Sequence, residues 1–244
     1  MANTWFIAPE YKNTLVAAAF SDLEAVFALN EKLISHDPQS EVMRVTIDHQ
    51  VFYVKRYFSP RNILRRHLIR SRCMAEAYNL TYVASLGIPT PKIVALGEET
   101  SLGRFGKKRA VLITAEVPDS QDLDDLLLHQ PSYLANTSWR RAAIEKVAHH
   151  VARLHQARFT HSDLNWRNIL AKQTLKSAVL YFFDMPLGRR RSITFRHFVL
   201  KDLTLLDRKG REHLSKTDRL RFYKAYRGID KLRKKDKRSI ARIL

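Results

Sequence analysis

The segment His161-Ser-Asp163-Leu-Asn-Trp-Arg-Asn168-Ile-Leu holds a carboxylate and, five residues later, a carboxamide, at the entry to an apolar run. Fifteen residues after that Asn-Ile pair, Asp184-Met-Pro follows the strand-like VLYFF. This order suits phosphoryl transfer. An Asp on a loop accepts the proton of an attacking hydroxyl, an Asn reaches back to the metal, and an Asp at a strand end holds Mg²⁺ against nucleotide phosphates. Each Asp alone reads as a turn or cap residue; it is the ordered triple that points to chemistry. Upstream, Lys55 lies near the end of the alternating run Gln50–Tyr57, where a Lys side chain can enter a cleft and meet α- and β-phosphates. Glu76, 21 residues on, is the only acid between Asp48 and Glu98, so it is the one helical carboxylate available to fix the Lys55 ammonium.

The elements that must position these groups follow from periodicity and turn chemistry. Ser21-Asp-Leu-Glu24 reads as a capping box opening a first helix. Residues 41–47 and 50–57 are β-rich runs around Asp48-His49, hence a hairpin. A long helix is predicted over 61–86, ending at Gly87 with Pro89 beyond it. Strands are predicted at 92–96 and 109–114, a short helix over 121–129, and a longer helix capped by Ser138 with Ile144, Val147, Val151 and Leu154 on one face. Strands at 168–171 and 178–183 precede a basic, helical remainder. The order implies an α+β chain: a strand-rich half over 1–115, a hinge near Glu116-Val-Pro, and a helix-rich half over 116–244, with a ligand cleft expected at their seam.

These residues resemble the protein-kinase-like superfamily and, more closely, the bacterial lipopolysaccharide kinases that phosphorylate Kdo or heptose of the inner core. The resemblance rests on Phe52-Tyr-Val-Lys55-Arg-Tyr-Phe, Glu76, Leu86-Gly-Ile-Pro89-Thr-Pro, Glu116-Val-Pro, Leu123-Asp-Asp-Leu126, His161-Ser-Asp163, Asn168-Ile-Leu, Asp184-Met-Pro-Leu-Gly-Arg-Arg and Lys201-Asp202-Leu. It implies a two-lobed protein-kinase-like fold, with a small β-rich N-lobe and a helical C-lobe. It implies Asp163 as catalytic base, Asn168 and Asp184 as Mg²⁺ ligands, and Lys55 with Glu76 on the phosphates of ATP. Glu116 and Val117 would meet the adenine, and His161 and Asp202 would support the catalytic loop. Departures are plain. Residues 36–46 contain no glycine, so no Gly-rich phosphate loop is visible. The position after His161, often Arg or Gly in the superfamily, is Ser162. Asn165 stands where protein kinases carry Lys, with Arg167 the nearest substitute. Met-Pro follows Asp184 in place of Phe-Gly, and the fixed φ of proline argues against a flipping switch.

Only 17 residues separate Asp184 from Asp202, too few for a peptide-binding platform. The basic stub Arg189-Arg-Arg191 in that interval suits a small or lipid-linked anionic acceptor, whose oxygens Arg forks match.

Composition agrees. The 244 residues carry 43 Lys+Arg against 24 Asp+Glu, a net charge of +19, with mean hydropathy −0.32 and 45% apolar residues. An acidic buffer and a disordered chain are excluded, and anionic partners are favoured. Net +14 lies in residues 185–244, and Lys55, Arg56, Arg61, Arg65, Arg66, Arg70 and Arg72 form a second basic run. One cysteine, Cys73, excludes an internal disulfide framework and fits a reducing compartment. Leu15–Phe20 is too short to span a bilayer and lacks a basic lead, so neither a leader nor a span is expected. The expected setting is cytoplasmic and peripheral on the inner membrane, with an anionic glycolipid as partner. The tail Lys231–Arg238 has few aromatics for base stacking, so no nucleic acid is expected. Two other readings stay open: a minimal atypical protein kinase, and a basic RNA- or membrane-binding protein on a degenerate kinase fold. His149, His150, His155 and His161 read as structural, Cys73 as packing, and Asp122/Asp124/Asp125 as charge at a helix start.

Overall fold

A computed structural model describes residues 2–58, 71–100, 109–175 and 177–243. The chain divides into two compact units, Met1–Tyr78 with Pro91–Glu116, and Asn79–Thr90 with Val117–Leu244. Arg61, Arg65, Arg66, Arg70 and the first part of the predicted 61–86 helix lie outside the described residues.

The first unit is built on a six-stranded antiparallel sheet, order β1-β5-β6-β4-β3-β2. Its strands are β1 (Ala2–Ile7), β2 (Lys32–Asp37), β3 (Ser40–Ile47), β4 (Gln50–Phe58), β5 (Ile93–Thr100) and β6 (Arg109–Ala115). Two short helices, α1 (Leu15–Ala19) and α2 (Leu23–Ala28), with Phe20 just after α1, bring Val16, Phe20, Leu23 and Val26 to a core shared with Met43, Val45, Phe52, Val54, Val111 and Ile113. The β3–β4 hairpin forms as its sequence implies. Ile47 pairs with Gln50, and Asp48 and His49 both adopt positive φ, the backbone of a two-residue turn that matches strand twist. Because strand side chains alternate, Phe52 and Val54 enter the core while Lys55 takes the other face.

Some elements depart from the sequence reading. The cap of α2 is Asp22, not Ser21: its Oδ1 accepts from Ala25 N at 2.8 Å. Strand β2 is exposed along its whole length and carries no alternation to reveal it. Arg56, placed by sequence in a surface basic run, is buried instead. Its guanidinium donates to Glu41 Oε1 at 2.9 Å and to the Val26 and Leu29 carbonyls at 2.6 and 2.7 Å, so a cation closes the C-terminal end of α2.

The second unit contains α4 (Leu123–His129), α5 (Ser132–Ala135), α6 (Thr137–Gln156), α7 (Phe195–His213), α8 (Lys216–Arg227) and α9 (Lys234–Ile243). A three-stranded sheet orders β10 (Leu180–Phe182), β9 (Ile169–Lys172) and β7 (Ser120–Asp122), and β8 (Phe159–Thr160) pairs with β11 (Arg189–Arg190). Helix α3 (Arg72–Ser85) contributes to both units and ends where Gly87 takes φ +71°. Helix α6 buries Trp139, Ala143, Ile144, Val147, Val151 and Leu154, as its periodicity implies, but Asn136 rather than Ser138 caps it, accepting from Trp139 N at 2.9 Å.

His150 sits on the buried face of α6, edge-on to Phe182 at 5.6 Å, and its Nε2 has no hydrogen-bond partner among the described residues. Burial, then the charges of Lys146 and Arg153, push its pKa down to about 4. The imidazole is thus neutral in the folded chain, and the unfolded chain takes up the proton first. Stability is complete above about pH 6.5 and falls as pH drops toward 4, by up to roughly 3 kcal/mol. Urea denaturation across this window should show the slope, and His150→Gln should flatten it.

Candidate active site

In the first unit, β4 presents Lys55 between Val42 of β3 and Leu112 of β6. Its Nζ lies 2.9 Å from Glu76 Oε2 on α3, and the Tyr57 hydroxyl donates to the same oxygen. Glu76 is buried, so the pair is shielded and the ammonium is held in one place. Cys73, one turn before Glu76, is also buried. Burial first, then the charges of Glu76 and Glu98, push its thiol well up, so it is packing and not a nucleophile. Glu116 donates its N–H to the Val51 carbonyl at 2.9 Å, and its carboxylate faces Arg44 and the Tyr53 hydroxyl, each at 3.4 Å. In place of a glycine-rich loop, the β2–β3 connection closes on Asp37. Its carboxylate accepts from Gln39 N at 2.6 Å, Ser40 N at 2.9 Å and Ser40 Oγ at 2.7 Å.

In the second unit, the loop between β8 and β9 carries His161, Ser162, Asp163 and Asn168. Ser162 in this loop departs from ordinary backbone at φ +71°, as does Arg158, just before β8, at φ +56°. A left-handed conformation costs a non-glycine residue roughly 1 kcal/mol or more, so something must hold it. Asp202, fully buried on α7, does so. Its Oδ2 accepts from His161 N at 2.9 Å and its Oδ1 from Ser162 N at 2.8 Å. His155 Nε2 lies 3.3 Å from the same Oδ2, and its Nδ1 lies 2.9 Å from the Tyr226 hydroxyl. His161 Nε2 sits 3.1 Å from the Phe183 carbonyl, which can only accept, so Nε2 carries the proton.

Asp163 is half-buried and gripped from two sides. Asn165 Nδ2 donates to its Oδ1 at 2.6 Å, and Asn168 Nδ2 donates to its carbonyl at 2.7 Å and its Oδ2 at 3.2 Å. Helix α7 reaches this loop twice more: Arg208 donates to Asn165 Oδ1 at 3.2 Å, and Leu206 O accepts from Trp166 Nε1 at 3.0 Å. Arg167 lies 3.6 Å from Asp163 Oδ2 at the surface.

Asp184 follows β10 at φ +52°, tied back by the Phe183 N–H to the Asn168 carbonyl at 3.2 Å. Beyond it, Asn79 of α3 donates to the Met185 and Gly188 carbonyls at 2.8 and 2.6 Å. A side chain at Gly188 would meet the Phe159 ring at 2.7 Å, so only glycine lets this turn close. Sequence reasoning missed Asn79; its one signal is an amide one turn after Glu76 on the buried face of α3. Asn168 and Asp184 offer hard oxygen donors, and the Asn168 amide turns its nitrogen to Asp163 and its oxygen away. That donor set fits Mg²⁺, which is held through one or two protein oxygens plus phosphates. Among the described residues, no group of three or more His, Cys, Asp or Glu could hold a metal on its own.

The three arginines of the basic stub are separated. Arg189 and Arg190 form β11 and are exposed. Arg191 turns inward, its Nε 2.9 Å from Thr160 Oγ1 and a terminal nitrogen 2.9 Å from Ser162 Oγ. Val117 is buried, and its carbonyl accepts from Ser120 Oγ at 2.7 Å. Asp122 caps α4, accepting from Asp125 N at 3.0 Å, so the acidic cluster is a helix start.

Asp202→Ala would leave the His161 and Ser162 N–H groups and His155 without their acceptor. The expected loss is about 2–4 kcal/mol of stability, read by urea denaturation.

Comparison with known proteins accords with this geometry. A solved structure of WaaP in complex with acyl carrier protein superposes with a TM-score of 0.68, covering 93% of this chain and 90% of that one at 22% identity. The fold is therefore the two-lobed kinase-like one, a β-rich first lobe and a helical second. Two curated 3-deoxy-D-manno-octulosonic acid kinases are similar over shorter stretches. That of Actinobacillus succinogenes is 34% identical over 118 residues, 48% of this chain and 45% of its own length. That of Haemophilus influenzae is 28% identical over 126 residues, 51% and 48%. The matched region spans about half the length of these relatives. A model of the lipopolysaccharide kinase (Kdo/WaaP) family matches residues 29–226, most of the sequence, and the chain belongs to that family.

Proposed function

We propose that this chain is an ATP- and Mg²⁺-dependent kinase that phosphorylates a sugar hydroxyl of the lipopolysaccharide inner core, on Kdo or heptose. The carrying observation is Asp163, fixed by Asn165 and Asn168 on a loop that Asp202 holds by two backbone N–H groups. Such preorganisation is what a general base needs. In this reading Asp163 accepts the proton of the acceptor hydroxyl. Asn168 and Asp184 would hold Mg²⁺, which would supply positive charge against the nucleotide phosphates. Lys55, steadied by Glu76, contacts the nucleotide phosphates, and Glu116 and Val117 border the adenine. His161 and Asp202 keep the loop in shape. The exposed Arg189 and Arg190 are the acceptor's ligands, reading its phosphate or carboxylate oxygens. The chain works as a peripheral protein on the cytoplasmic face of the inner membrane, drawn by its basic surface.

Purified chain supplied with ATP, Mg²⁺ and a Kdo-bearing lipid A acceptor should transfer phosphate to the sugar, read by mass spectrometry. Asp163→Ala should cut turnover about a thousandfold with nucleotide binding kept, and Asp184→Ala should lose Mg²⁺-dependent nucleotide binding too. Near-normal turnover in Asp163→Ala would overturn the assignment. Transfer to protein alone would favour the minimal protein kinase, and no transfer a binding protein.

A second property is proposed from an apolar cavity of about 270 Å³ within the helical unit, lined by Leu127, Trp139, Val147, Leu206, Leu220 and Ile240 among others. The structural relative was solved with acyl carrier protein. By that likeness this chain binds an acylated carrier protein, the acyl chain filling the cavity. Calorimetry should detect the acylated carrier and not the unacylated one, and Val147→Trp should abolish binding. Equal binding of both carriers would reject the cavity as the site.

A further inference from the structure

Arg191 makes a set of contacts that neither acceptor binding nor surface charge requires. Its guanidinium spans two hydroxyls, Thr160 Oγ1 and Ser162 Oγ, each at 2.9 Å. Its plane lies on the Phe198 ring of α7, 3.3 Å from the ring centroid. Its own backbone is fastened as well. The Arg191 N–H donates to the Arg158 carbonyl at 3.0 Å, and the Arg158 side chain donates back to the Arg191 and Ser192 carbonyls at 3.1 and 2.7 Å. Arg158 in turn stacks over Phe195 at 4.7 Å. The β8–β11 ladder, Arg189 opposite Thr160 and Arg190 opposite Phe159, brings the two segments into register.

These contacts converge on the strained residue next to the proposed base. Ser162 holds φ +71°, and two groups grip it: Asp202 takes its N–H and Arg191 its hydroxyl. Burial, followed by the charge of Arg189, lowers the pKa of Arg191, and Asp202 opposes that shift. The cation is thus partly desolvated with no carboxylate in direct contact among the described residues, which two hydroxyls and a ring face offset.

We propose that Arg191 is a positioning residue: it clamps the segment after Asp184 to the catalytic loop through Thr160 and Ser162, and so sets Asp163 without any covalent modification of that segment. Its action on catalysis rests on the kinase reading above; the clamp itself does not. Arg158 and Asn79 are the outer anchors of the same segment, and Gly188 is the turn that lets it fold back.

The test uses the whole chain, with Arg191→Met, Arg191→Lys and the double variant Thr160→Val/Ser162→Ala. Hydrogen exchange over residues 159–164 is read first, since it needs no substrate. Arg191→Met and the hydroxyl-deleted variant should each raise exchange there at least about tenfold, with the β-sheet of the first unit unchanged. Arg191→Lys keeps the charge but cannot fork across both hydroxyls, and should fall between. In transfer to a Kdo-bearing lipid A acceptor, kcat should fall about a hundredfold in Arg191→Met, as expected for a base displaced by about 1 Å, with both KM values within twofold. Combining Arg191→Met with the hydroxyl deletions should add nothing further.

Unchanged exchange in Arg191→Met would overturn the clamp. So would a raised acceptor KM at constant kcat with the hydroxyl deletions silent, which would make Arg191 a substrate ligand. If the unaltered chain transfers no phosphate, the kinase reading fails, and the exchange measurement decides the clamp by itself.

Discussion

The carboxylate of Asp202 is the interaction on which the helical unit turns. It is fully buried and accepts two adjacent backbone N–H groups, with His155 beside it. A buried carboxylate is tolerated only when its oxygens are satisfied, and these N–H groups are oriented only while the carboxylate is there. The two requirements lock together. Through them α7 dictates the path of residues 160–163, and the same helix anchors Trp166 and Asn165 through Leu206 and Arg208. The loop is shaped by one helix at three points, so its rigidity derives from the core and not from its own sequence.

Charge in this protein is not a uniform coat. The net +19 invites a picture of solvated cations seeking an anionic surface. Several of those cations are instead structural. Arg56 closes the end of α2 in the core of the first unit, Arg109 pairs with Glu24 and Glu99, and Arg219 pairs with Asp207 at 2.7 Å. Arg158 and Arg191 fasten the segment beyond Asp184. Guanidinium suits these places because its planar fork satisfies two carbonyls or two hydroxyls at once, and its face tolerates an aromatic ring. Arg189 and Arg190 by contrast are adjacent and exposed.

Two departures from the ordinary kinase pattern have local replacements. Where glycines would shape a phosphate-covering turn, Asp37 supplies acceptors that fold the β2–β3 turn on itself. Burial works against its ionised form, but the Ser40 hydroxyl and the Gln39 and Ser40 N–H groups outweigh it and hold the carboxyl below its usual range. After Asp184, proline removes a donor and fixes the backbone, Met185 is fully buried, and the Asn79 amide receives the turn that follows.

The sequence determined the hairpin around Asp48-His49, the amphipathic α6, the Gly87 stop, and the pairing of Lys55 with Glu76. Each depends on short-range rules: turn dihedrals, a 3.6-residue period, or the lack of any competing acid. It also marked Asp163, Asn168 and Asp184 as one chemical set, because their spacing is local and their residue types are demanding. Other features were decided only in three dimensions. Strand β2 shows no period because neither face is buried. Arg56 and Arg191 look like their neighbours in a basic run, and which cation turns inward depends on where carbonyls, hydroxyls and rings lie after folding. The sequence does not reveal the partners of Asn79 and His155, which stand 106 and 47 residues away. A hydrogen bond across that distance is written in the packing of helices, and only the tertiary structure brings its two ends together.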